Sequence, residues 1–198
     1  RGAACARSMA NSAGILAWPQ THFDWVRPGL MLYGISPFSN STAAQEKLQP
    51  VMTIHSQLIA VNACHKGDAI GYGGAYVCPE DMHVGGVAFG YGDGYRRALS
   101  NQGQVLIHGK KYPIVGIICM DQFMVDIGED SVYVGDEVVL VGKQGDEEIT
   151  LGQLALLCDT VPSEILVNFN DRLPHLYRDE KRHYWEYNAL NQSTINHT

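Results

Sequence analysis

Glycine surrounds a single tyrosine in the segment Gly71-Tyr72-Gly73-Gly74. Because glycine has no Cβ, such a segment adopts unusual backbone angles and lets a ligand or a second chain approach closely. Tyr72 could therefore present its phenol in a cleft, where the hydroxyl can donate, accept or move a proton. A turn between two strands, with a half-buried core tyrosine, is the simpler interpretation, and the spacing alone favours it.

A second glycine-rich segment, residues 90–97, combines two tyrosines, one carboxylate and two guanidinium groups. It differs from the G-x-G-x-x-G pattern, and no strand-to-helix context predicts a dinucleotide site. A glycine-rich connection with solvated arginines is the simpler interpretation. Further along, Cys119 ends an apolar run and its thiol could be a nucleophile, although a buried free cysteine is usually a small hydrophobic residue.

Two short segments near the start of the chain could bind a phosphate group together. Residues 11–14 are Asn-Ser-Ala-Gly, and residues 27–30 are Arg-Pro-Gly-Leu. The hydroxyl of Ser12 and the backbone N–H groups of Gly29 and Leu30 are donors of the kind that hold phosphate in barrel loops.

The elements that must position these residues change in character near residue 46. Residues 1–46 are rich in small residues and turn signals, and the apolar run 30–34 predicts a short strand at the edge of a parallel α/β unit. Residues 39–44 are small and polar, which predicts a linker. We therefore divide the chain into residues 1–46 and residues 47–198.

Short apolar runs separated by turn signals fill most of the second part, which predicts an antiparallel β-barrel or sandwich. Residues 109–111 are expected to turn one strand into the next. A helix is expected after Thr150, because Thr150 and Gln153 form a capping box ahead of an apolar face. The polar tail beyond Asp179 is expected to fray. Strands are expected over residues 51–61, 84–89, 105–108, 114–118, 124–127 and 137–141.

The composition limits the classes of protein to consider. Of the 198 residues, 14 are Lys or Arg and 21 are Asp or Glu, which gives a formal net charge of −7. The basic residues form no stripe, so we expect no nucleic-acid partner. No apolar run approaches the ~20 residues that span a bilayer, so we expect no membrane segment. The five cysteines are widely spaced, which predicts neither a metal site nor a disulfide framework and favours a cytoplasmic location.

Considered together and in order, the motifs resemble those of the alanine racemase family. The resemblance runs from about residue 8 to about residue 177 and ends with Arg172-Leu173-Pro174. Its six motifs are Asn11-Ser12-Ala13-Gly14, Val26-Arg27-Pro28-Gly29, Leu32-Tyr33-Gly34, Gly71-Tyr72-Gly73, Gly90-Tyr91-Gly92-Asp93-Gly94-Tyr95 with Arg97, and Cys119-Met120-Asp121-Gln122.

The resemblance implies an isomerase that uses pyridoxal 5′-phosphate to interconvert L- and D-alanine for peptidoglycan synthesis. It also implies that residues 1–46 are the last part of a cofactor-binding (β/α)8 barrel and that residues 47–198 are a mainly β C-terminal domain. Racemisation removes a proton from one face of Cα and returns one to the other face, so two bases are needed. In the family, these are the lysine that holds the cofactor and a tyrosine from the second subunit of a homodimer.

The resemblance assigns the catalytic and substrate roles to the second part of the chain. Tyr72 matches the catalytic tyrosine, which acts on the L-alanine side. Met120 matches the residue whose backbone contacts the substrate carboxylate. Tyr91 and Arg97 match residues that line the entrance corridor and restrict substrates to small amino acids.

The resemblance assigns the cofactor to the first part of the chain. Arg27 matches the residue that contacts the pyridine nitrogen, where an arginine keeps that nitrogen unprotonated and discourages side reactions. Ser12, with the backbone at Gly29 and Leu30, matches the residues at the cofactor phosphate.

Two positions depart from the family pattern. Ile117 stands where many members have an arginine, so one charge of the corridor is absent. Asp171 stands where some members have a tyrosine that contacts the cofactor phosphate. Because a carboxylate there would repel phosphate, we expect Asp171 to turn to solvent and phosphate affinity to be the property affected.

The cofactor lysine of the family lies in a Lys-Ala-Asn-Ala-Tyr-Gly type motif that these 198 residues do not contain. The first residue is also an arginine rather than methionine, which reads like a cut through something longer. We therefore expect that the 198 residues alone do not racemise alanine and that the front half of the barrel is a required partner.

Two other functions remain open. A related pyridoxal-phosphate amino-acid decarboxylase shares the barrel and β-domain plan, and Cys119 would be its candidate cysteine. A stand-alone β module that binds a partner without catalysis is the second alternative.

Overall fold

A closed barrel of antiparallel strands is the largest unit of the structure, a computed structural model that describes residues 5–38, 45–178, 184–188 and 193–197. The predicted linker, residues 39–44, lies outside the described residues. In chain order, the helices and strands are α1 (Ser12–Ala17), β1 (Ile54–Cys64), β2 (Ala69–Ile70), β3 (Tyr76–Val77), β4 (Met82–Val87), β5 (Gln104–Ile107), β6 (Lys110–Val115), β7 (Phe123–Gly128), β8 (Glu137–Gln144), β9 (Glu147–Ile149), α2 (Leu151–Leu157), α3 (Pro162–Asn168), β10 (His175–Arg178), β11 (Tyr184–Asn188) and β12 (Ser193–His197).

Six strands close the barrel in the order β1-β4-β7-β6-β5-β8, and β8 returns to β1. The long strand β1 makes closure possible, because residues 54–57 pair with β8 and residues 58–64 pair with β4. Closure leaves no unpaired sheet edge along the ring. Of the two architectures that the sequence allows, an antiparallel barrel or a sandwich, the structure shows the barrel, and the predicted strands correspond to β1, β4, β5, β6, β7 and β8.

Alternating side chains of these strands fill the inside of the barrel. In β7, Phe123, Val125 and Ile127 are buried, while the residues between them are partly exposed. Each such side chain contributes about 1.5–3 kcal/mol relative to an exposed one. Helix α2 packs on the same core, and its capping box is confirmed: Thr150 Oγ1 accepts from Gln153 N at 3.1 Å, and Gln153 Oε1 accepts from Thr150 N at 2.8 Å.

One predicted turn is shifted along the chain. Strand β5 ends at Ile107 and β6 begins at Lys110, so the turn consists of His108 and Gly109 rather than residues 109–111. Both turn residues have positive φ, 50° and 75°, which is the backbone that matches the twist of a tight hairpin.

The N-terminal part contains one parallel strand contact and little regular structure. Ser8 and Trp25 form an isolated parallel bridge. The prediction of a strand over residues 30–34 is wrong, because Leu30–Tyr33 is a 3-10 helix. The Ser12 hydroxyl accepts the N–H of Gly29 and of Met31, which ties this backbone to α1, and Gly34 then ends the helix at φ 72°.

Beyond the barrel, β10, β11 and β12 form a three-stranded antiparallel sheet. The expectation of a frayed tail is therefore wrong for residues 184–188 and 193–197, whose backbones pair in register with their neighbours. Among the residues described here, no helix is long and apolar enough to cross a membrane.

Candidate active site

Tyr72 lies on the turn that connects β2 and β3, on the outside of the barrel. Its side chain is 75% exposed. The sequence-based preference for a half-buried tyrosine is therefore wrong, although the turn itself is present. Gly71 has φ 74°, and a Cβ there would lie 3.3 Å from the backbone N of Ile117, so glycine lets this turn approach residues 116–117 closely.

Two polar side chains hold that turn to the segment that follows β6. Asn101 donates from Nδ2 to Ala75 O at 3.1 Å, and its Oδ1 accepts from Gly116 N at 2.6 Å. Ser100 Oγ accepts from Ile118 N at 3.0 Å. The position of the Tyr72 turn is therefore fixed by backbone contacts and by Asn101, while the phenol has no hydrogen-bond partner in the described part of the chain.

The segments that carry Tyr91 and Met120 are joined through their backbones. Tyr91 N donates to Cys119 O at 3.0 Å, and Gly92 N donates to Met120 O at 2.9 Å. A Cβ on Gly90 would lie 2.2 Å from Met120 O, so only glycine permits this approach. Tyr91 and Met120 are each 49% exposed, so both side chains lie at the surface, on two segments that are joined to each other.

A cluster of charged and polar residues contacts the Tyr91 segment, and the sequence analysis assigned none of them a role. The buried Asp93 accepts from Gly90 N at 2.9 Å and lies 3.3 Å from Arg172 Nε. Arg172 also contacts Asp121 Oδ1 at 2.5 Å, and Asn170 donates to Gly92 O at 3.0 Å. The hydrogen bond to Asp121 and the charge of Asp93 raise the pKa of Arg172, so the guanidinium is permanently charged.

Four other residues singled out in the sequence lie near these segments. Arg97 is exposed in the 3-10 helix Arg97–Leu99, and Ile117 is half-buried beside the Tyr72 turn. The Sγ of Cys119 donates to Ile117 O at 3.5 Å and is half-buried. Asp171 is exposed, as expected for a carboxylate that turns to solvent.

The four candidate cofactor residues lie together in the N-terminal part. Ser12 is buried, and its Oγ accepts from Gly29 N at 2.9 Å; Leu30 begins the 3-10 helix that follows. Arg27 is held by Ser8 Oγ at 3.2 Å from its Nε and by a backbone carbonyl at 3.2 Å from Nη2. None of the four hydrogen-bonds to Tyr72, Tyr91 or Met120. Within the described residues, no group of three or more His, Cys, Asp or Glu is placed to hold a metal ion.

In the described residues, a closed antiparallel barrel with an exposed tyrosine at its surface follows an N-terminal part with one α-helix and one isolated parallel bridge. Residues 51–177 match the family model described as alanine racemase, C-terminal domain, and residues 3–37 match the one described as alanine racemase, N-terminal domain. The chain belongs to the alanine racemase family. The boundary between residues 46 and 47 remains our proposal.

Relatives of known sequence and structure agree with this membership. The alanine racemase of Aeromonas hydrophila is 46% identical over 168 residues, which are 84% of this chain and 46% of that relative. The alanine racemase structure from Streptomyces coelicolor has a TM-score of 0.84 at 39% identity and is matched over 88% of this chain and 46% of its own.

A third relative is described with its cofactor. The alanine racemase structure from Bartonella henselae, described as having covalently bound pyridoxal phosphate, has a TM-score of 0.76 at 33% identity, over 85% of this chain and 45% of its own. The chain thus spans about half the length of the relatives it matches.

Proposed function

We propose that this chain forms the tyrosine-bearing side of a racemase active site that interconverts L- and D-alanine with pyridoxal 5′-phosphate. The observation that carries the proposal is the Tyr72 phenol, which is 75% exposed on a turn that Gly71 and Asn101 fix in place. A phenol that stands exposed on a fixed turn and has no hydrogen-bond partner in the described part of the chain is suited to act on a substrate bound elsewhere. In a homodimer, that substrate would be bound by the second subunit.

The N-terminal residues fit the phosphate of the cofactor. Ser12 Oγ accepts two N–H groups, so its own proton is left to donate to a phosphate oxygen. An ideal Cβ on Gly29 would meet only Ser12 Oγ within 4 Å, at 3.9 Å, so the backbone beside Ser12 is open to a ligand. Leu30 is the next residue along this open backbone. We assign the phosphate to these three residues.

Arg27 fits the pyridine ring of the same cofactor. Ser8 and Met9 hold its guanidinium in place, and arginine does not give up its proton in proteins. A fixed cation of this kind next to the pyridine nitrogen would keep that nitrogen unprotonated. Bound pyridoxal phosphate supplies an electron sink for the carbanion that forms at Cα.

Tyr72 would remove the Cα proton of L-alanine and return it in the reverse direction. The base on the opposite face is the family's cofactor lysine, whose motif these 198 residues do not contain. The backbone of Met120 would bind the substrate carboxylate. Tyr91 and Arg97 would line the entrance corridor, where Ile117 removes one positive charge relative to many family members.

The decisive test replaces Tyr72 by Phe in a racemase that carries residues 1–198 behind a complete barrel. A positioned general base contributes about 10²–10⁴-fold to rate, so kcat for L-alanine should fall by about that factor. Exchange of the L-alanine Cα hydrogen in D₂O should be lost with it. Tyr133→Phe is the matched control, because Tyr133 is likewise exposed, at 67%, and belongs to none of the segments assigned to the site.

Three results would contradict the proposal. If Tyr72→Phe still racemises alanine at the wild-type rate, Tyr72 takes no part in the reaction. Release of carbon dioxide from a larger amino acid, with no effect of Tyr72→Phe, would identify a decarboxylase. A wild-type enzyme that binds a partner protein but turns over no amino acid would identify the β module.

The second subunit can be tested with two defective variants. Tyr72→Phe and Arg27→Ala would each inactivate a homodimer. In a mixed dimer, one site contains both substitutions and the other contains neither, so activity should return after mixing and subunit exchange. A mixture without activity would place Tyr72 and Arg27 in the same site of one chain.

We also propose a cytoplasmic location and a role in supplying D-alanine for peptidoglycan. All five cysteines are free in the structure, which agrees with a reducing compartment.

A further inference from the structure

The buried carboxylate of Asp93 requires a cation. Asp93 is 9% exposed, and its Oδ2 closes the turn around Tyr91 by accepting from Gly90 N at 2.9 Å. A buried charge is strongly unfavourable unless it is paired and hydrogen-bonded. Arg172 Nε lies 3.3 Å from the other oxygen, Oδ1, so the Arg172 guanidinium is the cation that offsets the cost of burying this carboxylate.

The same guanidinium reaches a second segment. Its Nη2 lies 2.5 Å from Oδ1 of Asp121, the residue that directly follows Met120 in the chain. A Cβ on Gly92 would lie 2.2 Å from Nη1, so the group also approaches the backbone of the Tyr91 segment closely. The planar fork of arginine can make these contacts at once, whereas the single ammonium of lysine cannot.

The turn that presents Arg172 is fixed on the same segment. Asn170 donates from Nδ2 to Gly92 O at 3.0 Å, and its Oδ1 accepts from Arg172 N at 3.0 Å. The brace formed by Asn170 and Arg172 therefore holds the Tyr91 and Met120 segments to each other.

We propose that Arg172 is a positioning residue that sets the distance between Tyr91 and Met120, and through it the affinity for the substrate carboxylate. This inference rests on the proposed function. Arg172 acts through Asp93 and Asp121 and does not itself touch the reacting atoms. Its loss should therefore affect substrate binding much more than proton transfer by Tyr72.

The test uses the full-length racemase that carries residues 1–198. Arg172→Met should raise KM for alanine about tenfold while kcat changes less than threefold, and Arg172→Lys should restore only part of the loss because it pairs with one carboxylate at a time. Backbone amide exchange at residues 90–92 and 119–121 should accelerate in both variants. Lys111→Met is the control, since it removes a comparable ion pair, to Glu147, elsewhere on the barrel.

The outcomes separate the inference from the proposed function. If the wild-type enzyme racemises alanine but Arg172→Met leaves KM and amide exchange unchanged, the positioning role is refuted and the proposed function stands. An equal fall in kcat in all Arg172 variants, with unchanged KM, also refutes it. If Arg172→Met does not fold, Asp121→Asn provides the second variant, because it removes only the link to the Met120 segment and should raise KM in the same direction.

Discussion

The hydroxyl of Tyr95 is buried without a partner, and its removal should stabilise the protein. Tyr95 is 1% exposed, and its Oη is a buried polar side-chain atom with no hydrogen bond in the described structure. Its ring stacks on Phe123 at 5.3 Å between centroids and meets Phe89 edge-on at 5.8 Å. Burial also raises the pKa of Tyr95, so the phenol stays neutral at every pH of interest.

The size of the effect follows from these contacts. Phe at position 95 keeps both ring contacts and removes only the hydroxyl, whose burial without a partner costs about 1–3 kcal/mol. Part of that gain is lost to the small void left by the oxygen. We therefore expect Tyr95→Phe to raise the free energy of unfolding by about 1 kcal/mol, or the melting temperature by about 2–4 °C for a chain of this length.

Tyr112 provides a matched control of opposite sign. It is 5% exposed, and its hydroxyl donates to Asp130 Oδ2 at 2.9 Å. Burial, and then the hydrogen bond to Asp130, raises the pKa of Tyr112 to about 12. Tyr112→Phe therefore removes an existing hydrogen bond, and it should lower the free energy of unfolding by about 1 kcal/mol.

Urea unfolding followed by far-UV circular dichroism measures both variants against the wild type. The midpoints should move in opposite directions with unchanged slopes, because neither change alters the surface exposed on unfolding. A loss of 1 kcal/mol or more in Tyr95→Phe would refute the reasoning, since it would mean that the hydroxyl has a partner.

Two further predictions concern a glycine and an ion pair. Gly94→Ala should lower the free energy of unfolding by more than about 2 kcal/mol, since φ is +103° and the new Cβ would lie 2.1 Å from Asn168 O. Gly67→Ala, at φ +93° with nothing within 4 Å of the new Cβ, should lose only the part that comes from backbone strain. Equal urea midpoints for the two variants would contradict this. The hydrogen bonds from Lys110 and Tyr112 lower the pKa of Asp130 from its ordinary 3.8, so the carboxylate stabilises the fold above pH 3.8 and the effect disappears as the pH falls through the lowered pKa. Urea midpoints of Asp130→Asn and wild type should differ at neutral pH and converge in acid, whereas a constant difference would contradict the prediction.

The strands of the barrel could be predicted because their signal is local: each is a short apolar run that ends at turn residues. Closure could not be predicted in this way, because it depends on the pairing of β1 with both β4 and β8, and the sequence pattern also allows a sandwich. The run at residues 30–34 has the same local pattern, yet it forms a 3-10 helix. The Ser12 hydroxyl accepts the N–H of Met31 within the run and that of Gly29 just before it, and this contact between distant residues leaves no mark on the run itself.

The candidate site, too, could be predicted only in part. Glycine-rich segments mark Tyr72 and Tyr91 only as candidates, because glycine is required where backbones approach closely, and the resemblance to the alanine racemase family gives the two tyrosines their expected roles. Exposure of the Tyr72 side chain was not predictable, since flanking glycines describe the backbone and not the direction of the ring. The pairing of Asp93 with Arg172 joins residues far apart in the chain, so no local pattern predicts it.

The backbone hydrogen bonds between residues 91–92 and residues 119–120 have a consequence for protein engineering. Main-chain groups make these bonds, so they persist when Tyr91 or Met120 is replaced, provided that Gly90 and Gly92 are kept. Tyr91, Met120 and the neighbouring Ile117 can therefore be randomised as a library on an unchanged scaffold. Such a library would allow the tolerance for bulkier amino acids to be selected without repeated repair of the fold.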